Sequence, residues 1–365
     1  FPNSLDEVQM LQSLGDSAYA RYLLGCFWYS KRRYDEAVSC WRETLEKSPD
    51  YAPAHRLLGV YSWNKQQDAT QALAYLQRAV ALEPDNARFL FELDFLQKLL
   101  ARPVHERLTT LVERKAVVLK RDDLTAELLS LWNASGHYAD AAAILDTRVF
   151  HPWEGGEGKI TGQYLLNQLH RALQFIERGA FKQATDCLKA ALRYPDNLGE
   201  GRLPGQTDND IWYLLGYCAE QAGDAQQAAE YYQLARQGGS TLDAGRYYND
   251  QPADYLFWQG IALRKSGNPA QAEQHFRHFI DWAAQHRDDV PQVDFFAVSL
   301  PDLVVLDVSA QQRHLQHCLF IEALGHLGLG NVSACQQRMQ QLLQINPAHD
   351  KAHLIRHALQ SGIFS

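Results

Sequence analysis

No run of apolar residues in this 365-residue chain approaches the roughly 18 that a membrane-spanning helix requires, and no signal peptide is visible. A Lys/Arg-rich block is also missing: 35 basic residues stand against 43 acidic ones, for a net charge of -8. Nucleic acids and anionic membrane surfaces are held mainly through clustered basic side chains, so neither is an expected partner. The six cysteines, Cys26, Cys40, Cys187, Cys218, Cys318 and Cys335, form no CxxC pair and no short secreted framework. Lying within helical patterns, they read as reduced core residues of a cytoplasmic protein. GxSxG, Walker and Rossmann glycine motifs are absent, so the sequence points to no cofactor, no catalytic residue and no enzyme activity for this fragment. The chain starts at Phe1 rather than at methionine, which suggests a piece of a longer protein.

What the chain does have is enough apolar residue, 46%, for a large core, and one pattern that recurs. The pattern is Leu-Gly, a small residue 12 positions later, a large apolar residue 4 after that, and then proline. The first copy uses Leu24-Gly25, Tyr34, Ala37, Trp41 and Pro49; the second uses Leu58-Gly59, Ala72, Leu76, Ala79 and Pro84, with one extra residue in its turn. Glycine and alanine let two antiparallel helices approach, bulky residues fill the gap between neighbouring pairs, and proline ends the second helix. Gly25 and Gly59 are 34 residues apart, and the pattern resembles the tetratricopeptide repeat, a helix-turn-helix unit of that length.

Spacing of the small residue shows where the regular array is interrupted. Ala72 to Ala141 is 69 residues, which requires a degenerate copy around Asp94 to Leu111. The next steps, to Ala184, Ala228 and Ala272, are 43, 44 and 44 residues, and the last, to Cys335, is 63. The excess falls in four segments rich in Gly, Pro, Asp and Asn: 150–163, 196–210, 237–254 and 286–313. In the fourth, VDFFAVSL and LVVLDV could add short extended or helical pieces. Each lies between the second helix of one repeat and the first helix of the next. All four therefore project from one edge of a solenoid, and inserts confined to one face are often its binding face.

The densest chemistry lies in FHPWEGGEGKITGQY, which carries His151, Trp153, Glu154, Glu157, Lys159 and Tyr164 around three glycines. Such a loop could contact a ligand, with the carboxylates accepting hydrogen bonds from a polar group or a sugar hydroxyl. Equally, Trp153 could anchor the loop while the charges are solvated or cap helices. The segment is expected to be ordered and to fold toward the groove. In tetratricopeptide arrays the first helix of each pair lines the concave face, which places Tyr22, Tyr29, Trp63, Tyr213, Tyr217 and Phe257 inward, near Asp210, Asp254 and Arg264. These aromatics could grip a peptide or pack between helices. Arg246 and Tyr247 of the third insert complete the candidate binding set. Histidine pairs at 275/278 and 314/317 and the triple at 349/353/357 lack a supporting Cys or carboxylate set, so no metal site is assigned.

HPWEGGEGKITGQY together with FFAVSLPDLVVLD resembles the carboxy-terminal repeat region of a bacterial family of unknown function. Its members join a β-rich amino-terminal domain to tetratricopeptide repeats and are linked to carbohydrate metabolism. The resemblance implies that the β-rich domain is missing here, and it carries no catalytic residues over. The resulting expectation is an all-α, right-handed superhelical solenoid of about eight repeats. Residues 1–149 form a regular scaffold of about four repeats, 150–347 carry the inserts, and 348–365 make a C-terminal capping helix and tail. Its function is expected to be that of an interaction scaffold, binding a partner protein or peptide, or the missing amino-terminal domain, through the groove and the loop edge. The alternative is a carbohydrate-binding or carbohydrate-processing accessory module.

Overall fold

A computed structural model describes residues 2–242, 251–291 and 305–364. Among these residues there is no strand, and helices follow one another in pairs. A short opening helix, α1 (Leu5–Ser13), precedes α2 (Ala18–Ser30) with α3 (Tyr34–Lys47), and α4 (Ala52–Tyr61) with α5 (Ala69–Leu82). The degenerate copy consists of α6 (Ala87–Leu99), α7 (Val104–Glu113) and the single turn α8 (Lys115–Val118). Then come α9 (Asp122–Ala134) with α10 (Tyr138–Leu145), α11 (Lys159–Glu177) with α12 (Phe181–Ala191), and α13 (Asn209–Gln221) with α14 (Ala225–Leu234). The last pairs are α15 (Tyr255–Lys265) with α16 (Pro269–His286), and α17 (Ala310–Gly328) with α18 (Val332–Ile345), followed by α19 (Asp350–Gln360). The fold is thus an all-α solenoid of tetratricopeptide-type helix pairs, eight of them among the described residues.

Local sequence sets the helix ends. Ser4 and Glu7 form a capping box, with the Ser4 hydroxyl accepting from the Glu7 amide at 3.3 Å and the Glu7 carboxylate accepting from the Ser4 amide at 2.9 Å. Asp68, Asp224, Ser309 and Asn331 cap later helices through their side-chain oxygens. The repeat signature is a contact. A Cβ placed on Gly25 would lie 2.3 Å from the indole nitrogen of fully buried Trp41, and one on Gly59 would lie 3.0 Å from Leu76. Gly216 stands in the same relation to Tyr232, and Gly260 to Phe276. Phe276 is pressed from a second side by Gly328, where a Cβ would come within 2.2 Å of its ring. The spacing of small and large residues is therefore the sequence image of helices crossing at backbone distance.

The extra residue in the second repeat is absorbed as a π-helical turn, Ser62–Gln66, closed by Gln67 in the left-handed region at φ 55°. The first insert is shorter than composition suggests. Gly158, at φ 72°, ends the loop, and Lys159 to Gln163 form the opening turns of α11. Similarly, Asn209 and Asp210 belong to α13, not to the second insert.

Two compact units emerge. One holds residues 2–100, 114–124 and 305–308; the other holds 101–113 and the described residues of 125–291 and 309–364. The compositional boundary at 149/150 lies inside the second. That unit has a single large core running from Leu166 through Ile363, whereas the first is built on smaller clusters around Leu24 and Trp41. In the fourth insert VDFFAVSL lies outside the described residues, and Val305–Val308 have no regular structure.

Candidate functional site

Within the second unit the first helices of the pairs present their side chains to the chain's own C-terminal segment. Helix α19 packs against α11 as well as against α18, and the residues after it continue along α13 and α15. The Tyr213 hydroxyl donates to the Ile363 carbonyl at 3.2 Å, and Phe364 meets Phe257 and Trp258 at centroid distances of 5.4 and 5.8 Å. At the other end the Asp350 carboxylate accepts from the Ser130 hydroxyl and from the Gln163 amide, both at 2.8 Å. Helix α19 thus does more than cover the last repeat, and of its polar side chains only Arg356 and Gln360 are exposed. His353 and His357 are buried, with His357 Nδ1 2.9 Å from His170 Nδ1 and its Nε2 3.3 Å from the Glu177 carboxylate. Tyr138 stacks on both rings. Burial pushes the pKa of each imidazole below its ordinary value, further for His170.

Beside the first turn of α19 lies a cavity of about 820 Å³, framed by the described parts of the first three inserts. Gly158, Thr161 and Gly162 contribute from the start of α11, Glu200 to Thr207 from the second insert, and Gly238, Gly239, Gln251 and Pro252 from the third. Asp210, Tyr255 and Lys351 also line it. Lys351 sits over the Tyr255 ring, 3.2 Å from the Asp254 carboxylate and 3.7 Å from that of Asp210. Burial lowers the affinity of the Lys351 amine for its proton, but the two carboxylates outweigh this and hold its pKa above the usual lysine value. Asp210, almost fully buried, is raised by desolvation in spite of Lys351. Arg202 pairs with Asp208, whose carboxyl is pushed up to about 6 by burial. Three buried carboxylates therefore face two cations. Among the described residues, Arg202 Nη1 and Asp208 Oδ1 have no hydrogen-bond partner.

The opening stretch of interest is pinned to the second insert. The Phe150 amide donates to the Asn197 carbonyl at 2.8 Å, and Asn197 Nδ2 returns bonds to the carbonyls of Leu145 and Arg148 at 2.8 and 2.7 Å. The Gly158 amide and the Thr161 hydroxyl donate to Glu200 at 3.0 and 3.3 Å. Trp153 rests on Gly156, where a Cβ would meet the indole at 2.0 Å, so one face of the ring is covered by the loop itself. His151, Glu154, Glu157 and Lys159 are exposed and do not line the cavity, and Tyr164 is buried with its hydroxyl donating to the Ala190 carbonyl at 3.2 Å.

Of the other residues expected to line the groove, Asp210 and Asp254 come together on Lys351, and Tyr213 and Phe257 on the C-terminal tail. Tyr217 is half-buried against the core. Arg264 is on the surface, donating to the Gly328 carbonyl and stacking 5.4 Å from Phe276. Arg246 and Tyr247 lie outside the described residues. Sequence reasoning missed Arg202, Glu200, Tyr255 and Lys351. No local signal marks them: α14, with Glu230 as its single charged residue, is largely exposed, so charge count does not betray a covered helix.

The histidines of the other pairs are occupied with the backbone: His275 Nε2 bonds the Leu256 carbonyl at 2.8 Å, His314 that of His286 at 2.6 Å, and His317 that of Leu242 at 2.8 Å. All six cysteines are free thiols, five of them buried, and burial pushes Cys40, Cys318 and Cys335 up to about 11. No helix among the described residues is long and apolar enough to cross a membrane.

Comparison with known proteins agrees with the repeat reading. A family model described as tetratricopeptide repeat matches residues 22–87 and 169–245. Among solved structures, the chain is similar to PilW, a widely conserved type IV pilus biogenesis factor, at 16% identity and a TM-score of 0.31, over 59% of this chain and 90% of that one. Naa15/Naa10 bound to HypK-THB matches at 13% identity and a TM-score of 0.41, over 98% of this chain and 59% of that one. The apo form of the quorum sensor NprR from B. thuringiensis matches at 12% identity and a TM-score of 0.35, over 90% and 87%. By sequence, then, the chain is similar to the tetratricopeptide repeat over residues 22–87 and 169–245, which span α2 to α5 and the helices from within α11 to α14.

Proposed function

We propose that this chain is a protein-interaction scaffold whose second unit meets its partner at the cavity framed by the inserts, with its groove reserved for α19. The observation that carries this reading is the cavity of about 820 Å³, walled by three inserts. A partner segment entering there would reach Glu200, Arg202 and Gln206. Loops held by a rigid helical frame are suited to recognition, because the frame has already ordered them before the partner arrives. A wall that sets Leu165, Leu203 and Ile211 beside carboxylates and cations in close balance favours a peptide carrying both apolar and polar side chains.

The test plugs the cavity. Gln206→Trp and Thr207→Trp fill it from an exposed loop, and co-purification of partner proteins from source-cell extract is compared with wild type. The reading expects the principal partner to be lost in both variants while the thermal midpoint is unchanged. A partner that survives both plugs, but is lost when Tyr22 and Tyr51, whose rings meet edge-on at 5.2 Å in the first unit, are changed to alanine, would transfer the function to the other unit.

A further inference from the structure

The first unit carries a second arrangement that the cavity does not involve. At the π-helical turn, Asn64 uses both ends of its amide on one short stretch of backbone: Nδ2 donates to the Val305 carbonyl at 2.8 Å, and Oδ1 accepts from the Asp307 amide at 2.9 Å. Trp63 Nε1 donates to the Asp307 carbonyl at 2.9 Å. The residue between, Leu306, is fully buried, whereas Asp307 is exposed.

Bonds to the carbonyl of one residue and the amide of the second residue after it hold a segment by its backbone, whatever its side chains, and the segment held here bends at Val305 and Leu306. Specificity comes from what is buried between them, here a leucine. The extra residue that makes the turn π-helical is what brings two consecutive side chains, Trp63 and Asn64, onto the same peptide. A π turn of this kind commonly marks a working position in a helix. The occupant arrives from more than 240 residues away in sequence, inside the longest insert, so this is no local turn or cap.

We propose that Trp63 and Asn64 form a backbone-reading peptide site, and that Val305–Asp307 occupies it as an internal ligand. A partner segment of the same kind, a chain with leucine followed by a carboxylate, displaces that occupant. The inference is independent of the cavity reading, since it concerns other residues in the other unit.

A tethered segment competes at an effective concentration on the order of millimolar, so an external peptide binds the intact chain weakly and gains when the tether's anchor is lost. The probe is a fluorescein-labelled peptide VVLDVSA, the chain's own residues 304–310, titrated by polarisation into the full chain. Leu306→Asp, which removes the buried anchor of the internal ligand, is expected to tighten binding by about tenfold or more. Asn64→Ala in that background is expected to abolish it, and a probe with its leucine replaced by aspartate is expected not to bind. Far-UV circular dichroism checks that Leu306→Asp folds. If it does not, replacement of Val305–Asp307 by Gly-Ser-Gly takes its place. Equal affinity of wild type and the opened variant, or binding that survives Asn64→Ala, overturns the proposal and leaves the segment a structural tether.

Discussion

Adding one methyl group at Gly25 tests the physical reading of the repeat. A Cβ there falls 2.3 and 2.5 Å from two atoms of the Trp41 indole and 3.0 Å from the Ala37 carbonyl, while the next repeat offers a control in Gly59, whose Cβ would meet Leu76 at 3.0 to 3.1 Å. Trp41 is fully buried, and its Nε1 donates to the Tyr22 carbonyl at 3.3 Å, so the ring cannot swing aside. Overpacking costs about 1–3 kcal/mol, and this contact belongs at the upper end. Replacing glycine by alanine within a helix returns about 1 kcal/mol. Gly25→Ala should therefore destabilise by about 2 kcal/mol, and Gly59→Ala should be within about 0.5 kcal/mol of neutral, because a leucine can give a few tenths of an ångström. Hydrogen exchange of the α2 and α3 amides reads the local free energy, and a loss of this size lowers protection roughly thirtyfold. Trp41→Leu alone costs about 3 kcal/mol through lost burial, but in that background Gly25→Ala should cost nothing, a coupling of about 2 kcal/mol. The reasoning fails if Gly59→Ala is as damaging as Gly25→Ala, or if the Gly25 penalty is the same with leucine at position 41 as with tryptophan.

Acid should loosen α19. His349 is lowered to about 4, and His170, His353 and His357 are lowered as well, chiefly by burial, so the folded chain binds fewer protons than the unfolded one. Their contribution to stability is intact above pH 6.5 and is lost as pH falls toward 4, by at most about 3 kcal/mol for His349. Asp208, raised to about 6, acts in the opposite direction, so the readout is a shallower acid loss in His349→Gln than in wild type; identical pH profiles would refute it. Lys351→Met strands the Asp210 and Asp254 carboxylates and should cost about 3 kcal/mol in urea unfolding, most of it recovered by adding Asp210→Asn and Asp254→Asn; no recovery would place the loss in packing instead of charge. Asn197→Ala removes the bonds to Leu145 and Arg148 and should raise amide exchange at Phe150 by tenfold or more with the helices unaffected; unchanged exchange at Phe150 would show that the Gly199 contact suffices to hold the loop.

The helix pairs were legible because each rests on a short-range rule. Gly25 with Trp41 and Gly216 with Tyr232 are separated by one helical hairpin, and a fixed spacing records that geometry directly. An excess over 34 residues in that spacing says that extra chain lies between two pairs, but not where the next helix starts, as Lys159 and Asn209 show. The candidate site was not legible, because its partners lie far apart in sequence and no period links them. Lys351 meets Asp210 and Asp254 across several helices, and Glu200 holds Gly158. The two histidines of α19 carry no such mark either: imidazole counts as polar in a helical pattern, yet neutral histidine packs as an aromatic, as His357 does beside Tyr138 and His170. Trp63 was placed near a groove, but a side chain that reads backbone leaves no trace in the sequence it reads, and Asn64 beside it gave no signal at all.

A linear array answers only to its nearest neighbours, so it can fray from either end and can gain or lose a whole repeat at the cost of one interface. Helix α19 removes that freedom from the second unit. By touching α11 while remaining joined to α18, it closes the run of pairs between them into a loop of contacts, in which opening any one pair pulls on a distant one. Such a unit should melt as a whole and not in steps. Its number of repeats is also fixed, because inserting or deleting one pair between α11 and α18 would carry Lys351 away from Asp210 and His357 away from His170. Variation in such a unit is then channelled into the lengths of the loops.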